Sequence, residues 1–235
     1  MTSQKITDFS QLELPDKVRV VLLDLDNTLY VYDPCNEAGV YAVSQQLDLE
    51  GILQEKDFAA AYAQAKKVVK DRIDGHGASH SRLLYFYELL HSLQHPHASK
   101  LATELEDLYW KTFKDAMSLV PGAETFLKYC KKQHISVIIL TDLTTRIQFE
   151  KLSALGITAY ISYVLTSEAV GVEKPDQAMF AAALEKTGSA KSEVIMIGDD
   201  TDKDIHGAQQ FGIEAIQITH EKLSCEPPLR QSRCL

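Results

Sequence analysis

Short apolar segments alternate with helical patterns through the second half of this 235-residue chain, and this alternation constrains the fold more than any other feature. Strands are predicted at 136–141, 161–166, 193–198 and 213–218, and helices at 123–133, 144–155, 175–187 and 204–211. The apolar segment at 18–24 predicts one more strand. Five strands separated by helices indicate a Rossmann-like, doubly wound α/β fold, with a parallel sheet covered on both faces.

Residues 36–115 lack a strand pattern. Helices are predicted there at 36–48, 55–73, 79–94 and 98–115, separated by breakers such as Gly51 and His95–Pro96. An all-helical insertion therefore interrupts the α/β fold after its first strand. We predict an α/β core made of residues 1–32 and 117–235, and a helical insertion made of residues 33–116.

Two carboxylates follow the first predicted strand. Asp24 and Asp26 are two residues apart, so on an extended chain their side chains point the same way. Neighbouring carboxylates repel each other and are costly to bury, which favours a divalent cation with oxygen ligands beside them. One carboxylate can then attack an electrophile while the other moves a proton. A solvated corner after the strand is the simpler structural interpretation.

Four motifs in order along the chain resemble those of the haloacid dehalogenase-like hydrolase superfamily. Asp24-x-Asp26-x-Thr28 is similar to its nucleophile motif, Thr141 at the end of an apolar run to its second motif, and Lys174 before Pro175 to its third. Gly198–Asp199–Asp200–Thr201–Asp202–Lys203–Asp204 is similar to its acidic fourth motif. Each motif is weak alone, but the ordered set covers most of the chain and is specific.

The resemblance implies a role for each motif residue. Asp24 is expected to be the nucleophile and Asp26 the general acid and base. Thr141, the backbone N–H of Asp142 and Lys174 are expected to bind phosphate. Asp24, Asp26 through its carbonyl, and Asp199 are expected to bind Mg²⁺. Asp204 would be a second acidic group that orients Lys174 or the metal's water ligands, whereas Asp200 and Asp202 would be solvated or would cap the next helix.

The resemblance also implies the architecture and the activity. The helical insertion corresponds to a mobile cap over the active site, and the five strands are expected in the order 3-2-1-4-5. Most members are Mg²⁺-dependent phosphatases that form an aspartyl-phosphate. The segment 167–175 is similar to that of members acting on nucleoside monophosphates and sugar phosphates, with a slight preference for nucleotides.

Other activities stay open on the same motifs. A phosphomutase keeps all of them. A metal-independent 2-haloacid dehalogenase uses the same nucleophile but lacks the acid two residues later. The presence of Asp26 therefore argues against this activity. A non-enzymatic binding or scaffold protein is disfavoured because Asp24, Asp26 and Lys174 are all present.

Charged groups in the helical insertion give weaker signals. Five histidines occur there, and surface or substrate-side roles are favoured over a structural metal site: His76, His80, His91, His95 and His97. Lys66, Lys67 and Lys70 have the pattern of a solvated helix face.

Composition restricts the partners and the compartment. The formal charge of −9 is unfavourable to nucleic-acid binding. No apolar run reaches the roughly 18 residues of a membrane span, and residues 1–5 lack an apolar signal core. Four cysteines without a disulfide or metal spacing indicate free thiols: Cys35, Cys130, Cys225 and Cys234. We expect a cytoplasmic monomer or homodimer that acts on a small phosphomonoester.

Overall fold

The computed structural model describes residues 4–73 and 76–220. These residues form the strands β1 (Gln4–Ile6), β2 (Val20–Leu23), β3 (Ser136–Thr141), β4 (Tyr163–Thr166), β5 (Val194–Gly198) and β6 (Glu214–Ile218). The α-helices are α1 (Tyr32–Leu49), α2 (Glu55–Ile73), α3 (Arg82–Ser92), α4 (Ala98–Asp115), α5 (Ala123–Lys132), α6 (Thr145–Ala154), α7 (Ser167–Val170), α8 (Gln177–Thr187) and α9 (Gly207–Phe211). None of the described helices is both long and apolar enough to span a membrane.

All strand pairs in the sheet are parallel, in the order β1-β6-β5-β2-β3-β4. The α/β fold class is confirmed, and the five predicted strands take the expected order 3-2-1-4-5. The count of about five strands is corrected to six, because β1 adds an edge strand beside β6. This strand has three residues, which is too short for an alternating pattern to stand out in the sequence.

Both faces of the sheet are covered by apolar packing. In β2, Val21 and Leu23 join the larger hydrophobic cluster, which extends into the helices between β2 and β3. Val20 and Leu22 point to the other face and pack with residues of α8 and α9, including Phe180. Neighbouring residues of one buried strand thus serve two cores, as expected of a doubly wound sheet.

Helices α1 to α4 lie between β2 and β3, and we call them the helical block. Helix α1 begins four residues earlier than predicted, at Tyr32, because Pro34 is tolerated in a first helical turn. The predicted helix at 79–94 is shorter, since Ser81 caps α3 through its hydroxyl. The backbone N–H of Val120 donates to the carbonyl of Leu29 at 3.0 Å, so the chain enters and leaves the block at adjacent points.

Two other predicted helices begin later than expected. Asp176 caps α8 through its side chain, so Pro175 precedes the helix and does not lie in its first turn. One helix from residue 204 was predicted, but α9 begins only at Gly207. The preceding residues, Thr201–His206, form a π-helical turn. Gly212 ends α9 with a φ of 89°, the left-handed conformation expected of a glycine at a helix C-terminus.

Two of the four cysteines lie in the described part of the chain. Cys35 and Cys130 are buried free thiols. Cys225 and Cys234 lie outside the described residues.

Candidate active site

The candidate site lies where β2, β3 and β5 end. Asp24 follows β2, Thr141 ends β3, and Asp199 follows β5. The register aligns these ends, and the backbone N–H of Asp24 donates to the carbonyl of Ile197 at 3.0 Å. In parallel sheets this edge, near the reversal in strand order, is where ligands bind.

A cavity of about 170 Å³ opens at this edge, and we call it the carboxylate cavity. It brings together all the residues that the sequence singled out as catalytic, phosphate-binding or metal-binding. Its lining consists of Asp24, Asp26, Asn27, Thr141, Asp142, Lys174, Asp199, Asp200, Lys203 and Asp204.

Lys174 is the buried cation of this cavity. Its Nζ lies 2.6 Å from Oδ1 of Asp24 and 2.7 Å from Oδ1 of Asp204. Burial disfavours the charged ammonium, but the carboxylates of Asp204 and Asp24 outweigh burial and raise the pKa of Lys174 well above its usual value. The lysine therefore stays charged and fixes one oxygen of Asp24, as expected if Asp204 orients it.

Three carboxylates converge beside that lysine. Oxygens of Asp24, Asp199 and Asp204 lie within 4.8 Å of one another. Burial, together with the neighbouring carboxylates, raises the pKa of Asp24 to about 7 although Lys174 lowers it. Burial and the charge of Asp24 likewise raise the pKa of Asp199 to about 7. Lys174 offsets one of three negative charges, so the donor set fits a hard divalent cation such as Mg²⁺.

Asp26 makes different contacts. Nζ of Lys151, in α6, lies 2.7 and 2.9 Å from its two oxygens, and the hydroxyl of Tyr30 donates to Oδ1. Burial raises the pKa of the Asp26 carboxyl, but Lys151 outweighs burial and the pKa is lowered. Asp26 is therefore held as an anion against α6, while Asp24 is held by Lys174.

Thr141 and Asp142 are fixed by polar contacts at the end of β3. Oγ1 of Thr141 is buried and accepts a hydrogen bond from Nε2 of Gln148 at 2.7 Å. Oδ1 of Asp142 accepts from the backbone N–H of Lys174 at 3.0 Å, and Oδ2 pairs with Nζ of Lys203 at 2.8 Å. The side chain of Asp142 thus ties the second motif to the third and fourth.

Two other carboxylates of the acidic motif, those of Asp200 and Asp202, cap a turn or face solvent. Oδ1 of Asp200 accepts from the backbone N–H groups of Asp202 and Lys203, both at 2.9 Å, which caps the π-helical turn as predicted. The carboxylate of Asp202 is 86% exposed.

The residues of the site that were not predicted include Gln148, Lys151 and Lys203. Gln148 and Lys151 are one turn apart and both fully buried, on a helix that also carries the exposed Arg146 and Ser153. The sequence does show a glutamine and a lysine three residues apart in the helix that follows Thr141. This spacing alone does not reveal which face of α6 points towards the site. Lys203 stood in the acidic motif and gave no separate signal.

A second cavity, of about 310 Å³, adjoins the first, and we call it the outer cavity. Both cavities are lined by Asp26, Asn27, Asp142 and Lys203. The other lining residues come mainly from the helical block: Tyr32, Lys66, Lys70, His80, Arg82, Tyr85, Trp110 and Leu143.

The family model described as haloacid dehalogenase-like hydrolase matches residues 18–212. The chain belongs to the haloacid dehalogenase-like hydrolase family. This membership agrees with the four-motif resemblance and with the position of the motif residues in the carboxylate cavity.

Curated relatives of this family include phosphatases. A ribulose-1,5-bisphosphate 5-phosphatase from Halopiger xanaduensis is 42% identical over 197 residues, which span 83% of this chain and 82% of the relative. A phosphoserine phosphatase from Thermus thermophilus is 27% identical over 86% of this chain and 88% of its own length. These relatives support the predicted enzyme class, a phosphoric monoester hydrolase of the haloacid dehalogenase-like family.

Solved structures of the family share the fold. A 2-haloacid dehalogenase from Pseudomonas syringae pv. Tomato superposes with a TM-score of 0.72 at 22% identity, covering 85% of this chain and 86% of the other. At this identity the likeness concerns the fold alone.

Proposed function

We propose that the chain is a Mg²⁺-dependent phosphatase that hydrolyses a small phosphomonoester, a sugar phosphate, through an aspartyl-phosphate. The contact of Asp24 with Lys174, in a buried cavity shared with Asp199, carries this proposal. A carboxylate fixed in this way can attack phosphorus, and the neighbouring charges compensate those of the phosphate.

The residues that would hold Mg²⁺ are Asp24 and Asp199, with the backbone carbonyl of Asp26 that the family resemblance adds. Both carboxylates supply the oxygen atoms that Mg²⁺ prefers. When bound, the ion would neutralise charge on the phosphate and on Asp24 and stabilise charge in the transition state.

The chain's own residues would perform two displacements. In the first, a carboxylate oxygen of Asp24 forms a bond to phosphorus, the ester P–O bond breaks, and Asp26 in its acid form gives its proton to the leaving oxygen. In the second, Asp26 takes a proton from water as the water oxygen bonds to phosphorus. The bond between phosphorus and Asp24 then breaks, and inorganic phosphate leaves.

Lys174, Thr141 and the backbone N–H of Asp142 would bind the phosphoryl oxygens during both steps. Asp26 requires a further change before the first step, because its pKa is lowered by Lys151 and it must become protonated. Lys151 lies in α6, outside the helical block, but the rings of Trp110 and Phe113 from α4 lie 5.5 and 5.4 Å from its Nζ, so movement of the block would expose this contact to water. We therefore propose residues 33–116 as a cap whose position governs when Asp26 acts.

A sugar phosphate is favoured over a nucleotide because the 42% identical relative is a ribulose-1,5-bisphosphate 5-phosphatase. Five further relatives are glyceraldehyde 3-phosphate phosphatases, among them that of Methanopyrus kandleri at 29% identity. Asp26 favours an alkoxide leaving group, which needs a proton, over a halide, which needs none. Location in the cytoplasm and the choice between monomer and homodimer stay predictions.

Release of p-nitrophenol from p-nitrophenyl phosphate tests the proposal. We expect turnover with Mg²⁺, none with EDTA, and a loss of at least 10³-fold in Asp24→Asn, whose amide oxygen is a far poorer nucleophile. A folded Asp24→Asn protein with wild-type activity would disprove the nucleophile assignment. Mass spectrometry of a rapidly quenched reaction should detect one phosphoryl group on the peptide that contains Asp24.

A further inference from the structure

The outer cavity extends the carboxylate cavity towards the helical block. The two share lining residues, so a substrate whose phosphate lies beside Asp24 reaches into the outer cavity with the rest of its structure. The part of the outer cavity that the helical block lines is basic, with Lys66 and Lys70 from α2 and Arg82 from α3.

Arg82 is the most unusual of these cations because it is buried, with 7% of its surface exposed. Its Nη1 donates to the carbonyl of His80 at 2.7 Å, and its Nη2 donates to the hydroxyl of Tyr32. Its Nε has no hydrogen-bond partner, and no carboxylate among residues 4–73 and 76–220 forms an ion pair with it. A buried guanidinium held only by neutral groups is costly, so an anion at this position would stabilise it.

Lys66 and Lys70 add charge of the same sign. Burial lowers the pKa of Lys66, and the charges of Lys70 and Arg82 lower it further. Their neighbour Lys67 differs, because it pairs with Asp71 and its side chain is 67% exposed. Lys66 and Lys67 are exposed, as expected of a solvated face, whereas Lys70 is half-buried. Lys66 and Lys70 differ from Lys67 in that they line the outer cavity.

We propose that Lys66, Lys70 and Arg82 form a subsite for a second phosphate group of the substrate, at the opposite end from the phosphate that is hydrolysed. Three cations match a phosphate dianion better than a carboxylate, which carries one negative charge. The substrate is then a sugar bisphosphate. This inference rests on the proposed function and deepens it, and the name of the 42% identical relative agrees with it.

Steady-state kinetics on a pair of substrates test the subsite. Ribulose 1,5-bisphosphate and ribulose 5-phosphate offer the same 5-phosphate, and only the first carries a distal phosphate. We expect kcat/KM of the wild type to be at least tenfold higher for the bisphosphate. Lys66→Gln and Lys70→Gln should each raise KM for the bisphosphate about tenfold or more, because a hydrogen bond from a charged group is lost. Their effect on ribulose 5-phosphate should be much smaller.

Lys67→Gln is the matched control, since it removes the same charge from the neighbouring position of α2 outside the cavity. It should leave kcat/KM for both substrates within about twofold. Equal losses on both substrates in Lys66→Gln, or an equal loss in Lys67→Gln, would overturn the proposal. 3-Phosphoglycerate carries a carboxylate at the end opposite its phosphate. The proposal would also be overturned if this compound matched the bisphosphate in kcat/KM and lost as much activity in Lys66→Gln.

Calorimetric titration of Asp24→Asn separates the subsite from the chemistry, because the measurement does not require turnover. The bisphosphate should bind at least tenfold more tightly than ribulose 5-phosphate, and adding Lys66→Gln should abolish most of that difference. If the wild type lacks phosphatase activity but this binding difference is present, the proposed function fails and the subsite stands. If the wild type is an active phosphatase and both ligands bind equally, the subsite fails alone.

Discussion

Lys151 is the residue whose environment is most demanding. Its side chain is fully buried, and the rings of Tyr30, Trp110 and Phe113 lie 5.4 to 5.8 Å from its Nζ. The carboxylate of Asp26 accepts two hydrogen bonds from this Nζ. Its negative charge offsets the cost of desolvating the Lys151 ammonium. Removing one member of such a pair leaves the other buried without its partner, which costs more than the pair itself contributes.

Lys151→Met should therefore lower the free energy of unfolding by about 2–4 kcal/mol. We expect less than the largest cost of breaking a buried ion pair, because the Asp26 side chain is 26% exposed and keeps some contact with water. The double variant with Asp26→Asn should lose less than the sum of the two single variants. Urea unfolding of the four proteins measures both quantities. The exposed Lys111→Met is the control and should change stability by less than about 0.5 kcal/mol. Strict additivity would show that the pair is not coupled.

The predicted and unpredicted site residues differ in what determines their positions. Asp24, Thr141 and Asp199 could be predicted from the sequence, because strand ends of a parallel sheet meet at one edge whatever the side-chain details. Lys151 and Arg82 could not, since a lysine or arginine in a helix is usually solvent-facing. Their burial follows from how α6 and α3 pack, which depends on contacts distant in sequence.

Among the elements, the packing of α1 on α4 depends on Gly39. A Cβ at this position would lie 2.7 Å from Cδ2 of Tyr109 and 3.0 Å from its carbonyl oxygen. The same tyrosine donates its hydroxyl to Oδ1 of Asn36 at 2.7 Å, which fixes the ring against α1. The missing side chain therefore permits the close approach of the two helices.

Gly39→Ala should destabilise the protein by about 1–2 kcal/mol. Alanine favours a helix interior by about 1 kcal/mol relative to glycine, but overpacking of this kind costs about 1–3 kcal/mol and the backbone carbonyl cannot move aside. Thermal or urea unfolding measures the difference, with the exposed Glu37→Ala as the control on the same helix. A stability gain of about 1 kcal/mol would instead show that α1 and α4 separate without cost.

Elements were predictable where their pattern was long. The strand β3 and the helices α2 and α4 have the predicted bounds, because several apolar residues repeat with one period. Errors arose at short elements and at ends, where one cap or one hydrogen bond decides. The edge strand β1 is held by pairing with β6, some 210 residues later, and no local pattern contains that information.

On the scale of the whole molecule, the proposed binding of Mg²⁺ to the carboxylate cavity would stabilise the folded state. A ligand that binds only the folded state stabilises it by about 2.7 kcal/mol at a concentration 100-fold above its Kd. For a chain of this length that corresponds to a rise in Tm of roughly 5–10 °C.

Mg²⁺ should accordingly raise the Tm of the wild type, and EDTA should reverse the effect. Asp199→Asn should lose most of the Mg²⁺-induced rise, because it removes one of the two proposed carboxylate ligands. Asp202→Asn removes a carboxylate from the same motif but at an exposed position, and it should keep the full rise. Scanning calorimetry with and without Mg²⁺ makes the comparison. An undiminished rise in Asp199→Asn would move the ligand role to Asp204.

The hydrogen bond between Val120 and Leu29 has a consequence for how such an enzyme diversifies. The helical block begins and ends at neighbouring points of the backbone, so it is inserted like a long loop with fixed ends. Helices there can be lengthened, exchanged or recharged while β2 and β3 stay paired and Asp24 stays beside Lys174. Selection can thus change the substrate through one part of the gene while the residues proposed to break the phosphate ester are inherited through the rest.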